Sequence, residues 1–158
     1  MGLIKNPASA LAQACSAKAT APITVNNTAF SNPKSNDPGA PRNTRVQLTS
    51  KDSTYTHSTV AHYDRVDLSV YEDYTLTKFQ ANVGATSHEL IRAINRTLFI
   101  QLGVGDIQET IVSEDKDGPY LDVIATPTSL VWTGSIRLRL EYYPYISTFF
   151  SNKILPVF

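Results

Sequence analysis

Residues 136–143 alternate strictly between apolar and polar side chains. The apolar positions are Ile136, Leu138, Leu140 and Tyr142, and the intervening positions are Arg137, Arg139, Glu141 and Tyr143. Such alternation places one row of side chains in a core and the other in water, which is typical of an antiparallel strand rather than a buried parallel one. The pattern therefore requires a fold that contains a sheet with one solvated face.

A strong helix signal precedes that strand. Thr86 and Glu89 have the spacing of a capping box, in which each side chain accepts the backbone N–H of the other residue. An apolar stripe follows at spacings of three and four, formed by Leu90, Ile91, Ile94, Leu98 and Leu102. Because Gly103 and Gly105 supply a stop, the spacing predicts an amphipathic helix over residues 86–102.

Shorter alternating segments predict the remaining strands. Two candidates, 45–49 and 65–71, precede the helix, and three candidates, 107–113, 120–125 and 129–143, follow it. A short Ala-rich helix is also expected within residues 6–18, because Ala and Leu have high helix propensities. These elements predict an α+β fold, with a mostly antiparallel β-sheet and one amphipathic helix packed on it.

The first 43 residues differ from the rest of the 158-residue chain. They hold five of the nine prolines and a single aromatic residue, Phe30, and they carry four basic residues against one acidic residue. Such a composition buries too little apolar surface to offset chain entropy. We therefore expect an extended N-terminal arm at 1–43, an α+β body at 44–143 and a tail at 144–158.

The predicted tail is apolar and has neither helical nor strand periodicity. Chain ends are ordinarily polar and frayed, and an exposed apolar patch of this kind would aggregate. We expect the tail to lie in a groove on a neighbouring subunit or, alternatively, to fold back on its own body. The predicted assembly interface consists of Phe30, Phe149, Phe150, Ile154, Leu155 and Phe158.

Composition argues against several classes of function. Fourteen basic and fourteen acidic residues give a formal net charge of zero, so general attraction to nucleic acid is not expected. Cys15 is the only cysteine, which excludes an intramolecular disulfide framework and a multi-cysteine zinc site. No stretch approaches the ~18–20 apolar residues that span a bilayer, so no membrane partner is expected.

The candidate catalytic residues do not form a known signature. His57 and His62 stand five apart with Asp64 close behind, a spacing that matches no zinc motif and places the two rings on opposite faces of a strand. Residues 115–118 resemble the start of a calcium loop, but the glutamate required further on is missing, which favours a hairpin turn. We therefore predict no catalytic residue, no metal site and no cofactor.

A family resemblance is carried by the second half of the chain. The predicted helix is followed by Ile107, an Asp-Gly turn and the segment 129–138, Ser-Leu-Val-Trp-Thr-Gly-Ser-Ile-Arg-Leu. Over residues 44–143 this arrangement resembles small domains in virion structural proteins of tailed bacteriophages, in which a Trp-x-Gly-[Ser/Thr] segment enters the final long strand. The resemblance implies assembly into a head, neck, tail or baseplate, and it carries over no catalytic residue.

These observations predict a non-enzymatic structural component of a virion, assembled in the host cytoplasm, whose partners are copies of itself and other virion proteins. The alternative is a receptor- or carbohydrate-binding module of a phage fibre or tail. That module would bind a host-surface glycan on an aromatic platform of Tyr71, Tyr142, Tyr143 and Tyr145. A third hypothesis is a hydrolase or metal enzyme that uses His57, His62 and Asp64.

Overall fold

The computed structural model describes residues 7–19, 21–52, 57–76 and 79–142. Its α-helices are α1 (Pro7–Ser16) and α2 (Ile91–Leu98), and 3-10 helices cover Leu68–Leu76 and Val104–Asp106. The first six strands are β1 (Thr28–Phe30), β2 (Lys34–Ser35), β3 (Thr44–Ser50), β4 (Ser58–Tyr63), β5 (Val66–Asp67) and β6 (Gln80–Ala81). The later strands are β7 (Ser113–Asp115), β8 (Gly118–Ile124), β9 (Trp132–Thr133), β10 (Ser135–Arg139) and β11 (Glu141–Tyr142).

The first sheet is built around β3. Strands β1 and β2 pair with one side of β3, strand β4 pairs with the other, and all three pairings are antiparallel. The alternation predicted for this segment is confirmed, because Thr44, Val46 and Leu48 are buried while Arg45 and Gln47 are exposed. One face of β3 therefore contributes to the interior and the other faces solvent.

The second sheet has the antiparallel order β10-β8-β7. A tight turn joins β7 to β8, and Gly118 adopts the positive φ of 104° that the turn requires. Leu138 lies opposite Leu121 on the buried face, whereas Arg137 lies opposite Asp122 on the outer face. Two short parallel pairs, β5 with β9 and β6 with β11, complete the pairing of the described strands.

The main apolar core lies between the second sheet and the helical segments. The 3-10 helix Leu68–Leu76 contacts both β10 and α2. The most deeply buried apolar side chains here, each at most 2 % exposed, are Leu68, Ile94, Leu98, Ile107, Val112, Leu121, Val123 and Leu138. The chain is an α+β protein with mostly antiparallel strands, as predicted.

The predicted capping box forms, but it precedes α2, which begins at Ile91 and not at residue 86. Thr86 donates its backbone N–H to Glu89 Oε2 at 2.8 Å, and Glu89 donates its own to Thr86 Oγ1 at 3.2 Å. A turn separates this box from the first helical residue, Ile91. The helix ends at Leu98 and not at residue 102, because Phe99 adopts a left-handed conformation.

The predicted strand at 65–71 is wrong beyond Asp67. The side chain of Asp67 accepts the backbone N–H of Ser69 at 2.9 Å, which starts a turn, and the 3-10 helix follows. Leu68 is fully buried, while Val66 and Val70 are 39 % and 61 % exposed. A strand would have placed all three side chains on one face.

Part of the predicted arm pairs with the predicted body. Strands β1 and β2 lie within residues 1–43, and both form hydrogen-bonded pairs with β3. The predicted tail, 144–158, lies outside the described residues. The division into arm, body and tail therefore stays a prediction, with the addition that residues 28–35 belong to the first sheet.

Arg65 links the first sheet to the loop that precedes β9. Its side chain is buried, and it donates from Nε to Thr44 Oγ1 at 3.2 Å and from Nη1 to the carbonyl of Ser129 at 3.4 Å. The Asn43 side chain holds the Arg65 backbone, accepting its N–H and donating to its carbonyl, each at 2.8 Å. Burial raises the pKa of the neighbouring Tyr63 hydroxyl, and the positive charge of Arg65 opposes this shift.

We expect Arg65→Lys to lower the free energy of unfolding by about 1–3 kcal/mol, because one ammonium group cannot replace two guanidinium donors that point to different acceptors. Urea unfolding followed by circular dichroism measures the change. Arg45→Lys is the matched control, since Arg45 is exposed on β3 and its replacement should alter stability by less than about 0.5 kcal/mol. Equal stabilities of the two variants would contradict the role assigned to Arg65.

Candidate functional site

The candidate catalytic histidines do not meet in a cluster. His62 lies on β4 with Nδ1 3.1 Å from Asn36 Nδ2, and His57 precedes the strand and is exposed. Asp64 accepts hydrogen bonds from Arg42 Nη1 at 2.6 Å and from the backbone N–H of Asn43 at 2.8 Å. Both hydrogen bonds hold the pKa of the Asp64 carboxyl below its ordinary value, and the one from Arg42 has the larger effect.

These contacts anchor the loop of residues 36–43 to the end of β4, around an open depression lined by that loop. Across residues 7–19, 21–52, 57–76 and 79–142, no group of three or more His, Cys, Asp or Glu side chains is placed to hold a metal ion. In the same ranges, no helix is long and apolar enough to cross a membrane.

The outer face of the second sheet carries a charged network centred on an aromatic ring. Arg137 forms a bidentate pair with Asp122 at 2.7 and 2.9 Å, and its guanidinium carbon lies 4.0 Å from the centre of the Tyr120 ring. Arg139 donates to Asp115 at 2.7 Å. The two arginines that the sequence places on one strand face are thus paired with acidic residues of the same chain.

The network changes the acidity of its members. The hydrogen bond from Arg139 holds the pKa of Asp115 below its ordinary value, and a further hydrogen bond from the Asp117 backbone acts in the same direction. Hydrogen bonding to Asp122 raises the pKa of Arg137, and hydrogen bonding to Asp115 raises that of Arg139. The charged side chains therefore stabilise one another while remaining on the surface.

Phe99 is a strongly exposed aromatic residue directly after α2. Its side chain is 85 % exposed, the largest value among the large apolar residues of the described segments. Phe99 also adopts φ 54° and ψ 38°, a left-handed conformation that is uncommon for any residue with a side chain and rare for a bulky one. Phe99, which follows the last residue of α2, thus has an unfavourable backbone conformation and an unfavourably exposed side chain.

The loop that carries Phe99 is held firmly. Asn95 Oδ1 accepts the backbone N–H of Leu102 at 2.7 Å, and Asn95 Nδ2 donates to the Leu102 carbonyl at 2.9 Å. The backbone carbonyl of Asn95 accepts the N–H groups of Phe99 and Ile100. Leu98 and Leu102, on either side of the turn, are buried. The aromatic ring is therefore presented on a rigid turn.

A left-handed conformation costs a residue other than glycine roughly 1–2 kcal/mol. Glycine would remove that cost, and a polar side chain would remove the exposed ring. Strained residues of this kind cluster at functional sites, so the left-handed conformation of Phe99, with its exposed ring, makes the turn after α2 the candidate contact surface.

The other residues predicted to contact partners have different environments. Phe30, on β1, is half-buried and lies opposite Leu48 in the sheet. Tyr71 packs against Trp132 with ring centres 6.2 Å apart, so its ring contributes to the core boundary. The side chains of Tyr142, Tyr143 and Tyr145 lie outside the described residues, as do the five predicted interface residues of the tail.

A family model matches residues 11–158, nearly the whole chain. The chain belongs to the family of unknown function DUF7941. Comparison with curated proteins and with solved structures gives no match. The matched residues include both sheets, α2 and the turn that carries Phe99.

The charged network predicts a specific response to acid. Because the folded state holds the pKa of Asp115 below its ordinary value, this carboxylate adds stability above about pH 4, and the addition is lost as the pH falls through the lower, folded-state pKa. We expect Asp115→Asn to be less stable than the unaltered chain at pH 7, and the difference to vanish near pH 2.

Urea midpoints measured between pH 2 and pH 7 test this response. The matched control is Glu114→Gln, which removes an exposed carboxylate from the same hairpin. Its midpoints should follow those of the unaltered chain throughout. A stability deficit of Asp115→Asn that persists undiminished at pH 2 would refute the electrostatic explanation.

Proposed function

We propose that this DUF7941 chain is a non-enzymatic structural component of a tailed-bacteriophage virion, part of its head, neck, tail or baseplate. Its role is to assemble with copies of itself and with other virion proteins. The observation that carries the proposal is the rigid, exposed Phe99 at the end of α2. The resemblance of residues 44–143 to small domains of phage structural proteins supports a phage particle as the assembly.

An exposed aromatic ring on a rigid turn suits a contact between subunits. Aromatic side chains are enriched among the few residues that supply most of the energy at protein interfaces. The two hydrogen bonds between Asn95 and Leu102 preorganise the turn, so little conformational entropy remains to be lost on binding. Phe99 would insert into an apolar pocket of a neighbouring virion subunit.

The predicted N-terminal arm and C-terminal tail are part of the same proposal. Phe149, Phe150, Ile154, Leu155 and Phe158 would add apolar surface to contacts with neighbouring subunits, and so would the part of the N-terminal segment that lies outside β1 and β2. Phe30 would join these contacts only through its exposed portion, because the rest of its side chain lies within the first sheet.

Phe99→Gly separates an assembly role from a structural one. Glycine adopts the left-handed conformation without strain, so the isolated chain should unfold at an unchanged or higher urea concentration, with a gain of up to about 1 kcal/mol. Loss of the ring should reduce incorporation into phage particles at least tenfold, measured by quantitative mass spectrometry when the phage genome carries the substitution.

Val83→Ser is the control, because it removes an apolar side chain that is 52 % exposed in a different turn. It should leave incorporation unchanged. A Phe99→Gly chain that loses stability and still enters particles normally would show that Phe99 serves the fold and not the assembly.

The location itself is tested directly. Particles of the phage whose genome encodes the chain should contain it at a fixed ratio to their other structural proteins, and the ratio should persist through successive density gradients. Quantitative mass spectrometry of each fraction measures the ratio. A ratio that falls towards zero on repurification would contradict the proposed function.

A further inference from the structure

Strand β4 forms one edge of the first sheet. Within the part of the chain that the structure describes, β4 pairs with β3 and with no other strand. Its side chains are exposed or half-buried, and Val60 is 50 % exposed. Because an open strand edge is a template for another strand, β4 is a candidate for contact with a further chain.

The register identifies the backbone groups that face outward. Ser50 donates its N–H to the carbonyl of His57 at 3.1 Å, so residue 57 directs its backbone groups towards β3. In an antiparallel pair this orientation alternates, and it therefore recurs at 59, 61 and 63. The backbone N–H and C=O groups of Ser58, Val60 and His62 point away from the sheet, at a spacing of about 6.8 Å.

The two edges of this sheet differ in their protection. The opposite edge is divided between β1 and β2, with Pro33 in the break and Lys34 at the start of β2. Proline, lysine and short strands are the usual devices that prevent edge pairing. The six residues of β4 include no proline, glycine, lysine, arginine, aspartate or glutamate. Among the residues that the structure describes, pairing is thus obstructed at one edge and left open at the other.

We propose that β4 pairs antiparallel with β4 of a second copy of this chain, across a twofold axis at Val60, to form one continuous sheet. The inference rests on the proposed function and names the partner of one of its assembly contacts. Most oligomers use such symmetric contacts, in which the same patch of each subunit meets itself.

The proposed register follows from the outward backbone groups. With Val60 opposite Val60, Ser58 lies opposite His62 at both ends, so every residue with outward groups meets another and the three pairs exchange two hydrogen bonds each. A shift by one residue would set outward groups against residues already bonded to β3. A shift by two would leave one outward residue of each strand unmatched within the other β4.

Side chains favour the same register. The two Val60 side chains, each half exposed in the single chain, cover one another on the outer face. On the inner face Thr59 lies opposite Ala61. No lysine, arginine, aspartate or glutamate of one β4 meets another, so no like charges are opposed. The strand is therefore complementary to itself.

Val60→Lys tests the interface in the full-length chain. Two lysines would oppose each other at the twofold axis, and we expect the dimer dissociation constant to rise at least tenfold in sedimentation-velocity experiments. The matched control is Gln47→Lys, because Gln47 lies opposite Val60 on β3 and faces the same side. It adds the same charge one strand further in and should leave dimerisation unchanged.

Pulsed electron paramagnetic resonance locates the contact independently. A nitroxide attached to Gln47→Cys, in a chain with Cys15→Ser, reports the separation of the two β3 strands. Three inter-strand spacings place the two labelled Cα atoms about 14 Å apart in the proposed dimer. A distance distribution centred at this short separation, broadened by the label arms, is expected.

Three outcomes would overturn the inference: a monomer at all concentrations, equal weakening by both lysine substitutions, or a dimer without the short distance. Each of these leaves the proposed function standing if the chain is found in particles at a fixed ratio. Conversely, a β4-paired dimer that is absent from particles would refute the proposed function and preserve the interface.

Discussion

Directional hydrogen bonds from the buried Arg65 connect the first sheet to the loop that precedes β9. Val46 and Leu48 of β3 are buried, yet the described apolar cluster around α2 and the second sheet does not include them. Burying a guanidinium group is costly unless its donors are used. Here they reach Thr44 in one sheet and the Ser129 carbonyl beside β9. Hydrogen-bond geometry, which is more specific than apolar contact, therefore holds the first sheet against this loop, together with the pairing of β5 with β9.

The fold class was predictable from periodicity because the strongest patterns were also the most deeply buried ones. The alternation at 136–139 and 45–49 corresponds to β10 and β3, and the capping box at Thr86 has the predicted hydrogen bonds. The failure at 65–71 has a local cause. The alternation of Val66, Leu68 and Val70 does not reveal that Ser69 donates its backbone N–H to the Asp67 side chain. This hydrogen bond turns the backbone before the alternating residues can form a strand.

The candidate site was less predictable than the fold, because Phe99 lies inside the helix predicted for residues 86–102, and the glycines expected to end that helix come later, at 103 and 105. The signal that could have found it is Asn95, whose side chain bonds to Leu102 seven residues later and closes the turn before either glycine is reached. The arginines on β10 were identified as sharing a face, but their acidic partners were not. Asp122 and Asp115 come next to these arginines only through the register of β7, β8 and β10.

Two contacts of different symmetry would let one small chain build an extended structure. A pairing of β4 with itself closes a dimer and uses up that surface, since each edge accepts one strand. Phe99 follows α2, whose buried residues share a core with the second sheet, so an edge-to-edge dimer through β4 consumes none of the residues that hold its turn. If Phe99 inserts into a pocket elsewhere on a neighbour, that contact joins two different surfaces and adds further subunits to the dimer.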